Sequence, residues 1–432
     1  MFPLLTRSSV LKRSALALTC AVACTVPATL VQAETPGVPA SVVVTPTAQV
    51  RQRLVVDSAR DFANRTGAAH RRYVTQRARA GVRAEHNSGV RLQVTLQDVR
   101  AWGEEADPTS FSAAGIGIYE GYGQVDLPSG MTLTLGRQGL SWDDERLIGK
   151  LDWAQRARAF DAVRLDGRHD QLQWQVFGAW LTTDNAQAEA DAHAATIATG
   201  TEKVLTAGRM TWQANPEWKL TGVYLFRWAE ALKEKRHTAG GHLAGKLADG
   251  QLALTAEGYG QFGQLGGKDL LAWMGAARLR AEGKSKYKPA GWVWGEALSG
   301  DRKPTGAFDT LYGTNHRYYG EMDLFLDIPK HTKLHGLVDA GAGVGALVAT
   351  GLTAGAELHW FTSMRPDLAT DSSALGEEVD VKLTWAVKKG LWLQALYGVF
   401  APGEAIRALR VPATTGTLAL EQMLFVTVDA TL

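Results

Sequence analysis

Cysteine is nearly absent from the sequence, and both copies lie in a segment that the mature protein is expected to lose. Cys20 and Cys24 fall within residues 1–33, where basic residues precede an uncharged run that ends in a small residue, Ala33. This pattern predicts a signal peptide cleaved after Ala33. An uncleaved membrane anchor and a lipoprotein signal using Cys24 are the alternatives. The exported chain would have no disulfide, no thiolate nucleophile and no cysteine metal site.

Long hydrophobic runs are also lacking, which excludes a helical membrane protein. The nearest candidate is residues 340–356, AGAGVGALVATGLTAGA, in which glycines recur at every second position. Each glycine would weaken a helix, so a strand, a turn and a second strand are predicted there.

The chain has no marked excess of charge of either sign, because its formal net charge is +2. Lysine, however, is missing from residues 34–149, which contain thirteen arginines, whereas sixteen lysines follow from Lys150 onward. A base-composition bias toward arginine does not explain this contrast within one chain. Arginine differs from lysine in its planar fork of donors, which binds carboxylates bidentately.

What the sequence does contain is alternation with a period of two. In residues 73–85, YVTQRARAGVRAE, one face carries the arginines and the other is small and apolar, and residues 91–97 repeat the pattern after the turn signal Asn87-Ser88-Gly89. These residues predict an antiparallel hairpin. Residues 171–181, 219–228 and 421–432 alternate in the same way.

Alternation also fits a soluble β-sandwich with one solvated face. Three features favour a transmembrane β-barrel instead: strands of about ten residues, the export signal, and a final alternating strand that ends on Leu432. Aromatic residues expected at the membrane surface are Trp174, Trp180, Trp228, Trp392 and Tyr397. The predicted outward loops are residues 98–115, 183–203, 281–318 and 362–379, and residues 34–50 are expected to be an N-terminal segment without structure, ahead of a barrel domain at 51–432.

Basic residues on the predicted inner face are the candidate site. On strand 73–85 the arginines would form a ladder along a water-filled wall, and a strand starting at about Asp152 would continue it, with carboxylates holding the guanidinium groups in place. Arg137 is in phase with the apolar Leu133 and Leu135, so it is a pore residue only if the strand end turns inward. The candidate substrate-binding residues are Arg77, Arg79, Arg83, Arg91, Arg137, Arg146, Arg156, Arg158, Arg164, Asp152 and Asp161.

A longer motif gives a family resemblance. Residues 136–161 contain Gly-Arg-Gln, Arg-Leu-Ile-Gly, Asp-Trp and Phe-Asp in order, and residues 97–105 and 295–323 add further matching segments, the latter including His316 and Asp323. Together they resemble the alginate export family of outer-membrane β-barrels. The resemblance implies an all-β fold, an antiparallel barrel of about 18 strands with long extracellular loops, located in the outer membrane of a Gram-negative bacterium. It also implies an arginine-lined lumen that conducts an anionic polysaccharide outward.

Other functions are compatible with parts of the sequence. A general anion-selective porin or a sugar-acid uptake channel would have the same fold. Asp143-Asp144-Glu145 would suit a soluble polysaccharide-degrading enzyme only if adjacent carboxylates shared a face, which a strand prevents. No nucleotide-binding or nucleophile motif is present, and His331 and His335 lie beside Pro329 where a zinc-binding helix is not expected. We therefore expect no enzyme activity, no cofactor and no nucleic-acid partner, but a monomer in outer-membrane lipid that contacts the polysaccharide and periplasmic export proteins.

Overall fold

The computed structural model describes residues 41–58, 71–105, 107, 109, 115–182, 202–410 and 418–432. The predicted signal peptide, residues 1–33, lies outside the described residues. The strands are Val42–Asp57 (β1), Arg71–His86 (β2), Val90–Ala101 (β3), Ile116–Asp126 (β4), Thr132–Gln138 (β5), Phe160–His169 (β6), Leu172–Thr182 (β7), Lys203–Gln213 (β8), Trp218–Ala229 (β9), Glu234–Leu247 (β10), Leu252–Leu265 (β11), Lys268–Glu282 (β12), Ala290–Leu298 (β13), Leu337–Ala349 (β14), Leu352–Thr362 (β15), Ala374–Lys388 (β16), Leu391–Pro402 (β17) and Glu421–Thr431 (β18). A 3-10 helix at Asn315–Arg317 and the helix Glu404–Arg410 (α1) lie between strands.

These strands form one closed antiparallel barrel. Each strand pairs with the next along the chain, and β18 pairs with β1 from Gln49↔Thr431 to Asp57↔Met423. The prediction of a barrel of about 18 strands is therefore confirmed. Closure leaves no free sheet edge.

Alternation along the strands separates an apolar outer surface from a polar interior. On β3 the side chains of Leu92, Val94 and Leu96 are exposed, whereas Thr95 between them is buried. On β18 Thr427 and Asp429 are buried beside the outward-facing apolar residues predicted from the sequence. Because polar side chains are buried and apolar ones exposed, the barrel presents its hydrophobic face outward.

The two ends of the barrel differ in the length of their connections. At one end, here called the turn end, strands are joined by short turns such as residues 87–89, 350–351 and 389–390. At the other, the loop end, residues 139–159 and 299–336 are long connections that fold into the barrel. An apolar core forms there, in which Phe325 packs against Phe361 and Phe400 at ring-centroid distances of 4.7 and 6.3 Å. No helix among the described residues is long and apolar enough to cross a membrane.

Two predicted segments are wrong in part. Residues 42–50, expected to lack structure, form the first half of β1, because the β-branched residues 42–44 favour an extended chain despite Pro46. The expected loop 281–318 contains β13 (Ala290–Leu298), which has tryptophans on one face and Val293 on the other. The inward face holds the tryptophans and one polar residue, Glu296, so the strand shows little polar alternation.

Two further details differ from the sequence interpretation. The strand expected from Asp152 begins at Phe160, because residues 152–154 are held by side chains of the barrel wall and not by a neighbouring strand. Trp392 faces the interior, where Arg51 lies 5.9 Å from its ring, although Trp180 and Tyr397 are exposed on the outer face as predicted. Trp392 pairs with the buried Asp429, which fixes its inward direction.

Candidate conduction pathway

Two long loops meet inside the barrel, and we call residues 139–159 the first plug loop and residues 299–336 the second. Ile148 and Tyr312 form a parallel bridge, and the Tyr312 N–H donates to the Leu147 carbonyl at 3.0 Å. The Gly149 N–H donates to the Tyr312 carbonyl at 2.9 Å. The two loops are thus one hydrogen-bonded unit within the lumen.

Arginines of β1 and β2 fasten the first plug loop to the barrel wall. Arg51 Nη1 donates to the Asp152 carbonyl at 2.7 Å, and Arg77 Nη1 donates to the same carbonyl at 3.2 Å. The Asp152 carboxylate lies 3.1 Å from both Arg77 and Arg79. Partial burial raises the pKa of Asp152, but Arg77, Arg51 and Arg79 lower it further, so its pKa lies below the ordinary value and the carboxylate stays charged.

Trp153 joins the two plug loops to the same wall. Its ring stacks on His316 of the second plug loop, with centroids 3.8 Å apart and planes 6° apart, and Arg53 lies 3.6 Å from the ring centroid. The indole N–H donates to Asp323 at 3.0 Å. A guanidinium over an indole face is an attractive cation–π contact.

His316 is charged in this arrangement. Its ring nitrogens lie 2.5 Å from Asp323 and 3.1 Å from Glu321. Burial lowers the pKa of His316, but the two carboxylates outweigh burial and raise it to about 9. Burial raises the pKa of Glu321, yet the contact with His316 and a close ion pair with Lys382 lower it to about 2.

Carboxylates of the opposite wall hold the second plug loop. On β16 the Glu378 carboxylate accepts the Met322 N–H at 2.8 Å, and Asp380 accepts the Glu321 N–H at 3.2 Å. Arg146 of the first plug loop reaches the same side of the barrel, where it contacts Glu296 at 2.6 Å. The plug is therefore held by arginines on β1 and β2 and by carboxylates on β13 and β16.

Beside the plug, a cavity of about 420 Å³ remains in the lumen. Its charged lining consists of Arg51, Arg53, Arg278, His316, Arg317, Lys382, Asp152, Glu321 and Glu357. Arg317 is exposed, and within the described ranges no carboxylate lies within 4.0 Å of it. Six basic groups against three carboxylates give this opening a basic character.

The residues predicted from the sequence occupy three kinds of position. Arg77 and Arg79 contact Asp152, as the expected pairing of arginine and carboxylate requires. Arg146 and Arg158 are committed to the plug, Arg158 through the carbonyls of Gly149 and Tyr312. Three further arginines are each paired with a nearby carboxylate: Arg83 with Glu85, Arg91 with Asp126, and Arg164 with Asp166. Arg156, in the first plug loop, is exposed.

Arg137 and Asp161 do not face the lumen, so this part of the prediction is wrong. They are opposite each other on β5 and β6 and form an ion pair of 3.0 Å on the outer face. Their side chains are 42% and 62% exposed, and the neighbouring Leu135 is exposed as well. The strand keeps its alternation up to Arg137, and no bulge turns that side chain inward.

The sequence interpretation missed several basic residues of the pathway. Arg51 and Arg53 alternate with apolar Leu54 and Val50 on β1, and Arg278 and Arg280 flank Leu279 on β12. The same period-two signal that identified strand 73–85 applies to both strands. Arg317 has no such signal, because a loop fold and not an alternating strand places it in the lumen.

Solved structures with the same fold are outer-membrane proteins. OccAB4 of Acinetobacter baumannii is 12% identical with a TM-score of 0.62, over 90% of this chain and 98% of that one. The outer membrane protein OpdK of Pseudomonas aeruginosa is 11% identical with a TM-score of 0.59, over 90% and 99%. OccAB3 of A. baumannii is 11% identical with a TM-score of 0.60, over 90% and 99%. These identities show a shared fold alone.

Comparison at the level of sequence families is more specific. No protein of curated function matches the chain. The family model described as alginate export matches residues 44–417, which include both plug loops and nearly all of the barrel. The chain therefore belongs to the alginate export family and is an outer-membrane channel protein of a Gram-negative bacterium.

Proposed function

We propose that the channel conducts an anionic polysaccharide outward, past the basic opening beside the plug. The family's description supplies the direction and the class of polymer. The observation that carries the proposal is the 420 Å³ cavity, whose lining includes Arg51, Arg53 and Arg317. Fixed positive groups in a narrow aqueous path lower the entry cost for anions and raise it for cations.

Weak binding at several places suits the passage of a polymer. Lys382 and Arg278 each lie near a carboxylate, Glu321 and Glu357, so their charge is shared between the wall and a passing ligand. A polymer that exchanges one partly neutralised cation for the next can advance without being trapped. No cofactor and no chemical step is required for this movement.

A planar-bilayer measurement tests the proposal. In a salt gradient the wild-type channel is expected to be anion-selective, and Arg317→Gln is expected to reduce that selectivity several-fold, because it removes an exposed cation of the opening that has no ion-pair partner in the described part of the chain. Lys330→Gln is the matched control, since Lys330 belongs to the same plug loop but is 80% exposed beside Asp327. Its selectivity should equal that of the wild type.

Three results distinguish the alternatives. Cation selectivity in the wild type would overturn the proposal. If the channel is anion-selective but a uronic-acid oligosaccharide does not interrupt the current, a porin for small anions is favoured. If a single sugar acid interrupts the current as often as the oligosaccharide does, a sugar-acid uptake channel is favoured.

A further inference from the structure

The wall formed by β12 and β13 carries arginines that are supported by tryptophan rings. Arg278 is directly opposite Trp294 in the antiparallel register, and Arg280 is directly opposite Trp292. The two guanidinium groups lie 5.0 and 4.8 Å from the respective ring centroids. We call these four residues the arginine–tryptophan shelf.

The next strand explains why the rings lie where they do. A methyl group at Gly341 would collide with the Trp294 ring, and one at Gly343 would collide with the Trp292 ring. The glycines of β14 thus leave room for the indoles to lie against its backbone. The indole N–H groups are also fixed, because Trp294 donates to Asp339 at 2.8 Å and Trp292 donates to Glu357 at 2.6 Å.

The rings orient the two arginines, while the charge of each arginine is shared with one carboxylate. A cation–π contact orients a guanidinium but contributes no opposite charge, so the donors at the edge of the fork stay available. The side chains of Arg278 and Arg280 are 41% and 43% exposed, and their carboxylate neighbours, Glu357 and Glu282, are 3.5 Å away. The shelf therefore combines a fixed geometry with free hydrogen-bonding capacity.

A second cavity lies along the shelf at the turn end of the barrel. It has a volume of about 530 Å³ and is lined by Trp292. Its charged lining consists of the cations Arg280, Lys288 and Lys382 and the carboxylates Glu282, Glu321, Glu357 and Asp380. Lys382 and Glu357 also line the 420 Å³ opening beside the plug, so the two cavities are adjacent. In barrels of this kind the short turns face the periplasm, which places this cavity where an exported chain enters.

We propose that this cavity is an entry site for a carboxylated sugar unit, which docks there before it reaches the plug. The Arg280 fork and Lys288 would bind the carboxylate, while Glu357 and the hydroxyl of Thr384, which also line the cavity, would accept or donate hydrogen bonds to sugar hydroxyls. A volume of this size lies in the range of small-molecule sites. The inference rests on the proposed function and adds a second site, on a different wall, to the opening at the plug.

The experiment uses the full chain in a planar bilayer, with a uronic-acid hexasaccharide added to one side at a time. In the wild type we expect current interruptions from both sides. In the double variant with Arg280→Gln and Lys288→Gln, we expect the on-rate of the hexasaccharide from the turn side to fall roughly tenfold, because electrostatic steering is lost. The on-rate from the loop side should not change. The turn-side on-rate of Arg280→Lys should lie between those of the wild type and the double variant, because lysine keeps the positive charge but lacks the planar set of guanidinium donors.

Lys246→Gln is the matched control. Lys246 on β10 is exposed at the same end of the barrel. It lies opposite Ala253 of β11, which in turn lies opposite Arg280 of β12. An equal loss of on-rate in Lys246→Gln would show that only the general charge of the entrance matters, and it would overturn the entry site. If Arg280→Gln does not give the heat-modifiable migration of a folded barrel, Lys288→Gln alone decides, since Lys288 lies in a turn.

Failure of the entry site and failure of the proposed function give different results. If the wild type shows interruptions but the double variant loses none of the turn-side on-rate, only the entry site is wrong. If the wild type is anion-selective but a neutral hexasaccharide interrupts the current as often as the charged one, the carboxylate-binding role is wrong. If the wild type is cation-selective and shows no interruption from either side, both proposals fail.

Discussion

The walls on opposite sides of the lumen use arginine in two different ways. On β2, Arg77 is fully buried, and its two Nη groups donate to Gln49 and to the first plug loop. On β12, Arg280 is 43% exposed over a tryptophan ring. The comparison shows that an arginine in a barrel lumen is not by itself a ligand-binding group: what decides is whether protein carbonyls and carboxylates already use its donors.

The carboxylates follow the same division. Near β1 and β2 the carboxylate comes from the plug, as Asp152, and the wall supplies the cations. Near β16 the carboxylates, Glu378 and Asp380, belong to the wall and accept backbone N–H groups of the plug. The wall of β1 and β2 thus binds the plug through arginines, whereas the wall of β16 binds it through two carboxylates and through Lys382, which pairs with Glu321.

The largest expected effect comes from breaking the fastening on β2. Arg77→Met removes the donors to the Asp152 and Ala154 carbonyls and one of the three arginines around the Asp152 carboxylate, at a cost of about 1–3 kcal/mol for the lost hydrogen bonds of a charged group. We expect a lower unfolding midpoint in the heat-modifiable gel assay and a larger, noisier single-channel conductance as the first plug loop loosens.

Arg280→Met is the control for that change, because it removes an arginine from the exposed shelf. Its unfolding midpoint should stay close to that of the wild type. Equal losses of stability in Arg77→Met and Arg280→Met would remove the distinction between fastening and exposed arginines.

A smaller effect is expected from pH, which acts on the clasp that His316 forms with Glu321 and Asp323. The pKa of His316 is raised from 6.5 to about 9, so its contribution is complete below pH 6.5 and is lost as the pH rises through about 9. We expect channel conductance to change with a midpoint near pH 9.

His316→Gln checks the assignment. Glutamine keeps a polar side chain against Trp153 but does not titrate, so the change near pH 9 should be absent. A wild-type conductance that is constant between pH 7 and 10, or an identical transition in His316→Gln, would contradict the role of this clasp. The depressed pKa of Glu321, about 2, predicts a separate weakening only when the pH falls below 4.5.

Alternation in the sequence predicted β-strands and the inward direction of Arg77, Arg79 and Arg164, because a strand fixes which face a side chain occupies. The choice of a barrel over a sandwich also needed the export signal and the family resemblance. Alternation could not place Asp152, Trp153 or Arg317, since these residues lie in loops whose path is set by tertiary contacts. The shelf was missed for another reason: the tryptophans of β13 face inward beside a single carboxylate, so the strand has little polar alternation and resembles an irregular loop segment.

The smallest expected effect is that of Arg137, whose place in the strand alternation predicts an outward-facing side chain. Arg137 forms an exposed ion pair with Asp161 on the outer face, and such pairs contribute about 0.2–1 kcal/mol. Arg137→Gln should therefore leave anion selectivity and the on-rate of the uronic-acid hexasaccharide unchanged, and should lower the unfolding midpoint only slightly. Both are measured in the bilayer and gel assays above. A loss of selectivity as large as that of Arg317→Gln would mean that strand parity fails at the end of β5, and that outward-facing charge also reaches the conduction pathway.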